Sequence, residues 1–386
     1  MITLNAREVR QRQAAVREQM AKAGIDILVT GASSQHDFRG ILRYLADYYL
    51  PVFEEYLVIP LADPVCFFAH DACGADYMAA SGTVDDIRII PGYEYNSDPA
   101  RCVAGYVKSL KPKHIGLAGA AGFSANFYQS LMRHVGSCTF TDFSHEINAL
   151  RMIKSPVEIQ LSEAAVRLNE DAFHFYLNFV KPGNREIDAI NETTAFALRN
   201  GAEDIYWMTS SGKIPHLAYL AEAKRKQHVW EEGDYNYIIP EHSAPGGHWG
   251  ETTHLISLGN PNPDYARAFK TIGHAQQAAA AAIKPGALVG DIADAAEKVL
   301  VEEGYMQPRP SSTPATAIGH SQGADVWEFP RIVSGDQTVI QPNMRFNLHP
   351  AVILADGAKI TSCDCWISTD TVARRLSTLP YEIIAV

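Results

Sequence analysis

The residues of this chain best suited to chemistry are histidines, glutamates and cysteines in its second half. His216 ends the segment SSGKIPH at 210–216. An imidazole titrates at about 6.5, so it can take and return a proton near neutral pH. His320 stands between Gly319 and Gly323, and His349 precedes Pro350. Glu251 lies in GHWGETT at 247–253, and Glu241 closes the run GDYNYIIPE at 233–241. Cys363 and Cys365 are two apart, so on a strand both thiols point to one face. Such a pair serves core packing as readily as a metal. Carboxylate, imidazole and thiolate are ligand types that zinc accepts in tetrahedral geometry. A lone catalytic zinc takes three protein ligands and keeps one position open. Trp327 can stack on a flat or cationic substrate, or sit in a core. Two chemistries are open: metal-free acid–base catalysis and single-metal hydrolysis.

The elements that must position these residues show in the pattern. Residues 6–23 are rich in helix formers, and Gly24 suits the end of that helix. Short apolar runs at Asp26–Thr30, Tyr56–Pro60, Val65–Ala69 and His114–Ala118 read as strands. Helices alternate with them, which predicts an α/β layer with a mostly parallel or mixed sheet. Near residue 150 the character changes. Ser155 is a natural N-cap, Pro156 fits the first turn and Glu158 completes a capping box. A long helix is predicted over 156–180, and the domain boundary is placed here, giving domains 1–154 and 155–386. Lys181-Pro182-Gly183 and Lys284-Pro285-Gly286 each lie between two helical stretches. This internal repeat fits a domain of two similar halves. Glu231-Glu232 and Lys224–Lys226 read as solvated turns.

Bulk properties exclude several classes. The 386 residues carry a net charge of −11, which argues against a nucleic-acid partner. The N-terminal segment lacks an apolar secretory core, and no apolar run is long enough to span a membrane. Six scattered cysteines do not make a disulfide framework. A cytoplasmic protein with a small-molecule substrate is expected, with no nucleic-acid or membrane partner.

The segments LRMIKSPVEIQLSEAA (150–165) and GHSQGADVWEFP (319–330), with the two Lys-Pro-Gly units, resemble the creatinase/aminopeptidase P superfamily. The resemblance implies an α/β (α+β) protein. It has a creatinase/prolidase-type N-terminal domain and a pita-bread domain with a curved antiparallel sheet and outer helices. It also implies a homodimer. Peptidases of this superfamily hold two metals on two Asp, one His and two Glu. Here the first Asp position holds Ile239, with Glu241 two residues on and on the same strand face. Glu251 takes the second Asp position, His320 matches the His, His349 takes the first Glu and Cys363 maps near the second.

Only His320 is unchanged, so the two-metal template is broken. By resemblance to creatinase, His216 is expected to be the acid/base, with Glu251 and His349 binding charged groups and His320 stabilising developing charge. Glu241, His254, Trp327 and Cys363 are expected to bind substrate; His254 fills a place often held by arginine. The expected function is a metal-free hydrolase of a non-peptide or modified C–N bond in a creatine-, ectoine- or amino-acid-like compound. The alternatives are an eliminating lyase, a single-zinc hydrolase or Xaa-Pro-type peptidase on Glu251, His320, His349 and Cys363, and a non-catalytic binding protein.

Overall fold

The structure is a computed structural model describing residues 5–33, 38–49, 54–216, 227–307 and 316–386. The Lys224–Lys226 run lies outside the described residues. The chain divides into two compact units. One comprises Leu4–Arg151 with Ala324–Val326, the other chiefly Met152–Gly323 and Trp327–Val386.

The first unit is built on a six-stranded sheet. Its strands are β1 (Ile27–Ala32), β2 (Glu55–Pro60), β3 (Cys66–Ala69), β4 (Asp86–Ile89), β5 (His114–Ala118) and β6 (Thr139–Asp142), ordered β4-β3-β2-β1-β5-β6. The sheet is mixed: β2 runs antiparallel to both β1 and β3, while β1–β5, β3–β4 and β5–β6 are parallel. The helix Ala6–Ala23 ends, as expected, at Gly24 in the left-handed conformation with φ of 66°.

The second unit opens with the helix Pro156–Leu177. Ser155 Oγ accepts from the Glu158 N–H at 3.2 Å, and Glu158 accepts from the Ser155 N–H at 3.0 Å. Two orphan donors are thereby satisfied at once. The two Lys-Pro-Gly units do equivalent structural work. Gly183 and Gly286 have φ of 89° and 88°. Their N–H groups donate to the Trp230 and Ile340 carbonyls at 2.8 and 2.9 Å. Each unit leads into a helix, Glu186–Arg199 or Val289–Glu302.

Each half lays helices on a sheet. The first sheet contains β7 (Asp204–Gly212), β8 (Tyr235–Ser243), β9 (Trp249–Glu251) and β10 (His254–Ser257). Its core packs Phe173, Tyr176 and Ile190 against Trp207, Ile238 and Ile256. The second sheet contains β11 (Gly319–Ser321), β12 (Glu328–Ile332) and β13 (Arg345–Leu348); β14 (Ala351–Ile353) and β15 (Lys359–Thr361) form a separate hairpin. Here Phe269, Ile272 and Ile292 from the helices meet Phe346 and Leu348. β16 (Asp364–Ile367) pairs with β13, and an isolated Thr253–Cys363 bridge links the halves.

Candidate active site

Six strands of the second unit contribute to a cavity of about 130 Å³. It is lined by Met208, Ile239, Glu241, Glu251, Thr253, His320, Trp327, His349, Ala351, Lys359 and Thr361. Strand alternation explains much of this. Tyr237, Ile239 and Glu241 lie two residues apart on β8 and share one face. Ile239 and Glu241 line the cavity, while the Tyr237 hydroxyl clamps β15 by donating to the Thr361 carbonyl at 3.1 Å and accepting its N–H at 2.7 Å. That clamp sets Lys359 and Thr361 against the cavity. Glu251 stands directly opposite Glu241 across the β8–β9 pair.

Two glycines permit the close approaches. A Cβ at Gly250 would run into the Ala165 carbonyl, so β9 rests against the helix Pro156–Leu177 at its backbone. A Cβ at Gly319 would run into the Asn347 carbonyl, so β11 and β13 pair tightly beside His320.

Glu251, His320 and His349 converge, with one ligand atom from each within 4.8 Å of the others. His320 Nδ1 lies 2.8 Å from the Ser321 carbonyl, which calls for a proton on Nδ1. Nε2 is then a lone-pair donor, 3.8 Å from Glu251 Oε2. His349 Nε2 is buried and has no hydrogen-bond partner among the described residues. Asn347 Nδ2 donates to Glu251 Oε2 at 3.3 Å, and Thr253 Oγ1 donates to Oε1 at 3.4 Å. Burial, aided by the neighbouring His349, pushes the His320 imidazole down to about 4. Burial pushes the Glu251 carboxyl up, but His349 and His320, with hydrogen bonds from Asn347 and Cys363, bring it below its usual range.

The donor set is one carboxylate and two imidazoles, with one imidazole nitrogen lacking any partner. It fits a single zinc with an open position. It does not offer the bridging carboxylates that a pair of divalent ions needs. Ile239 and Thr361, on the same cavity wall, bring no charge.

Glu241, Glu251, His320, Trp327 and His349 are brought together. Trp327 is 45% exposed and stacks on His320, with ring centroids 4.5 Å apart and planes at 14°. Arg331 covers the indole at 4.9 Å.

The other three expected site residues do not line the cavity. His254 packs between Phe173 and Phe269, its ring nitrogens facing the Pro380 and Leu255 carbonyls, so it belongs to the core. Cys363 hydrogen-bonds the Glu251 carboxylate and packs with Val166 and Cys365. Burial raises its thiol well above the ordinary value. Thr361, two residues earlier, holds the wall position that the sequence comparison placed near Cys363. His216 does not line the cavity: its Nδ1 is 3.2 Å from the Ile214 carbonyl. The preceding Pro215 carbonyl accepts the Lys359 N–H at 2.9 Å, which ties that segment to β15.

Lys359, Thr361, Thr253 and Met208 escaped the sequence reading. The alternation Lys359-Ile360-Thr361 after the Asp356-Gly357 turn was the available signal. The partner of that strand face was not.

Comparison with known proteins agrees with this architecture. Residues 12–153 match the creatinase/prolidase N-terminal domain. An uncharacterized peptidase YqhT of Bacillus subtilis is 24% identical over 294 residues, 75% of this chain and 80% of that protein. A probable dipeptidase PepE of Mycobacterium tuberculosis is 28% identical over 246 residues, 62% of each. The solved Xaa-Pro dipeptidase from Bacillus anthracis superposes with a TM-score of 0.81 at 20% identity, covering 98% of this chain and all of that one. Residues 160–370, more than half of the chain, match metallopeptidase family M24, and the chain belongs to that family.

Proposed function

We propose that this chain is a single-zinc hydrolase that cleaves the peptide bond of small, Xaa-Pro-type dipeptides. The observation that carries the reading is the convergence of Glu251, His320 and His349 within 4.8 Å. A zinc ion held there would supply Lewis-acid polarisation of the scissile carbonyl. The protein's own part is orientation. Ser321 holds the His320 tautomer, Asn347 and Thr253 hold the Glu251 carboxylate, and Trp327 fixes the His320 ring plane. Lys359 is a cationic side chain on the wall and suits the substrate's carboxylate.

This replaces the expectation of a metal-free hydrolase for creatine-, ectoine- or modified amino-acid-like compounds. The relatives compared above are named peptidases and dipeptidases. The division into 1–154 and 155–386, a homodimeric assembly and a cytoplasmic location belong to the same proposal. The location is supported by six free cysteines. No helix among the described residues is long and apolar enough to cross a membrane.

The test is metal content by plasma mass spectrometry on untagged protein, with hydrolysis of an Xaa-Pro dipeptide panel before and after chelation. About one zinc per chain, and activity lost on chelation and restored by zinc, is expected. Full activity in metal-stripped protein would overturn the reading.

A further inference from the structure

We infer that a second cavity, on the helix-covered side of the second half, binds a small apolar carboxylate of the fatty-acid type. The site lies outside the catalytic cavity, and the inference does not depend on the peptidase reading.

A groove of about 470 Å³ lies where the C-terminal end of the helix Pro263–Ala282 meets β16 and the turn that leads to β17 (Arg374–Arg375). Sites for small organic ligands generally run from about 300 to 1,000 Å³, with apolar walls and a few placed polar groups. Ala280, Ala281, Ile283 and Val372 give the apolar wall, and Val372 is 64% exposed. Covering such a side chain with a hydrocarbon is favourable. Gln277, Lys284 and Trp366 give the polar groups.

The group that calls for a ligand is the Trp366 indole. Its Nε1 is buried and has no hydrogen-bond partner among the described residues. Trp207 and Trp230, by contrast, place theirs on the Thr194 and Ser211 hydroxyls at 3.0 and 2.7 Å. A buried donor without a partner is costly, and an indole N–H can only donate, so the missing partner is an acceptor. Trp366 pairs with Phe346 across β16 and β13 and packs on the core under the helix. It points to the opposite face of β16 from Cys365, whose thiol donates to the Glu251 carbonyl. The groove and the catalytic group are therefore on different faces of the sheet.

Lys284 opens the second Lys-Pro-Gly unit and forms no ion pair among the described residues. A carboxylate has two oxygens. It can accept the indole N–H and face the Lys284 ammonium while its chain lies on the apolar wall. An alcohol satisfies the indole alone, and an alkylammonium meets two donors.

The test titrates octanoate, octan-1-ol and octylamine into the zinc-loaded protein at neutral pH. Binding is read from the indole N–H signals of the five tryptophans by NMR, with calorimetry in parallel. Octanoate should move the Trp366 signal downfield and saturate it. Octan-1-ol should bind about tenfold more weakly, and octylamine should not bind. Trp366→Phe keeps the packing, removes the donor and should cost about tenfold by calorimetry. Lys284→Gln should cost about two- to fivefold, as for an exposed ion pair. Ala281→Phe fills the groove from the helix surface and should abolish the Trp366 shift with zinc stoichiometry unchanged. It also decides the matter if Trp366→Phe melts early. Equal binding of octanoate and octan-1-ol overturns the inference. So does a response at Trp327, on the catalytic cavity, in place of Trp366. A Trp366 signal that moves on dilution and ignores octanoate shows a second copy of the chain on the groove, and overturns it too.

Discussion

Replacing Asn347 with alanine tests whether Glu251 is a metal ligand oriented by its neighbour. Asn347 is fully buried on β13, paired with His320, and its Nδ2 reaches Glu251 Oε2 at 3.3 Å. Hydrogen-bond partners of metal ligands are generally worth about 10- to 100-fold in metal affinity. A charge-assisted N–H···O bond is usually about 2.7–2.9 Å long. The longer contact here, shared with a donor from Thr253, places Asn347→Ala at the low end. The expected loss is about tenfold in zinc affinity, or about 1.4 kcal/mol. Truncating a buried amide should also cost about 1–3 kcal/mol of folding stability, so melting is followed in parallel. The assay is zinc competition against a chromogenic chelator at fixed pH. A cycle with Glu251→Ala completes it: once the carboxylate is gone, Asn347→Ala should change zinc affinity little. A folded Asn347→Ala that binds zinc as the wild type does would refute the argument that this amide orients a ligand. An unchanged effect in the Glu251→Ala background would show that the amide acts by another route.

Three further outcomes follow from named groups. His242 is fully buried, with neither ring nitrogen in hydrogen-bond geometry among the described residues, and burial lowers it to about 4. The unfolded chain then binds the extra proton, so stability should fall as pH drops from about 6.5 toward 4, by up to about 3 kcal/mol. His242→Phe should flatten that part of the melting curve, and an unaltered slope would contradict it. Burial raises the Glu55 carboxyl to about 8, even though the His70 N–H and the Tyr48 hydroxyl donate to it. The fold here keeps a proton that the unfolded chain releases, so stability should fall as pH rises from about 4.5 to 8. Glu55→Gln should melt higher than wild type at pH 8, with the gap closing near pH 4; a gap independent of pH would refute the titration. His216→Ala should leave zinc stoichiometry unchanged and retain most activity, since the imidazole is held on the Ile214 carbonyl away from the cavity wall. Abolished turnover in folded protein would return His216 to the reaction.

Local physics was legible wherever neighbours in sequence settle the outcome. The Ser155–Glu158 capping box and the Gly24 helix end are contacts between residues a few positions apart. Their chemistry is complete within the segment. The alternation Ile239–Glu241 likewise assigned both to one face of a strand before any partner was known. Glu251, His320 and His349 were named from their types and from the family pattern.

Other facts waited for the tertiary structure, because they depend on which strand lies opposite which. His254 carries a site-like side chain, yet its ring meets Phe173 and Phe269 rather than the cavity. Thr361 rather than Cys363 reaches the cavity because the Tyr237 hydroxyl, 124 residues away, clamps the Thr361 backbone. The tautomer of His320 follows from a carbonyl in its own strand, but what its other nitrogen faces follows from the packing of two sheets. The sequence determined the donor types and the two-halved plan. Long-range register decided which donors meet, since pairing energies between distant strands leave no trace in the spacing of residues along either one.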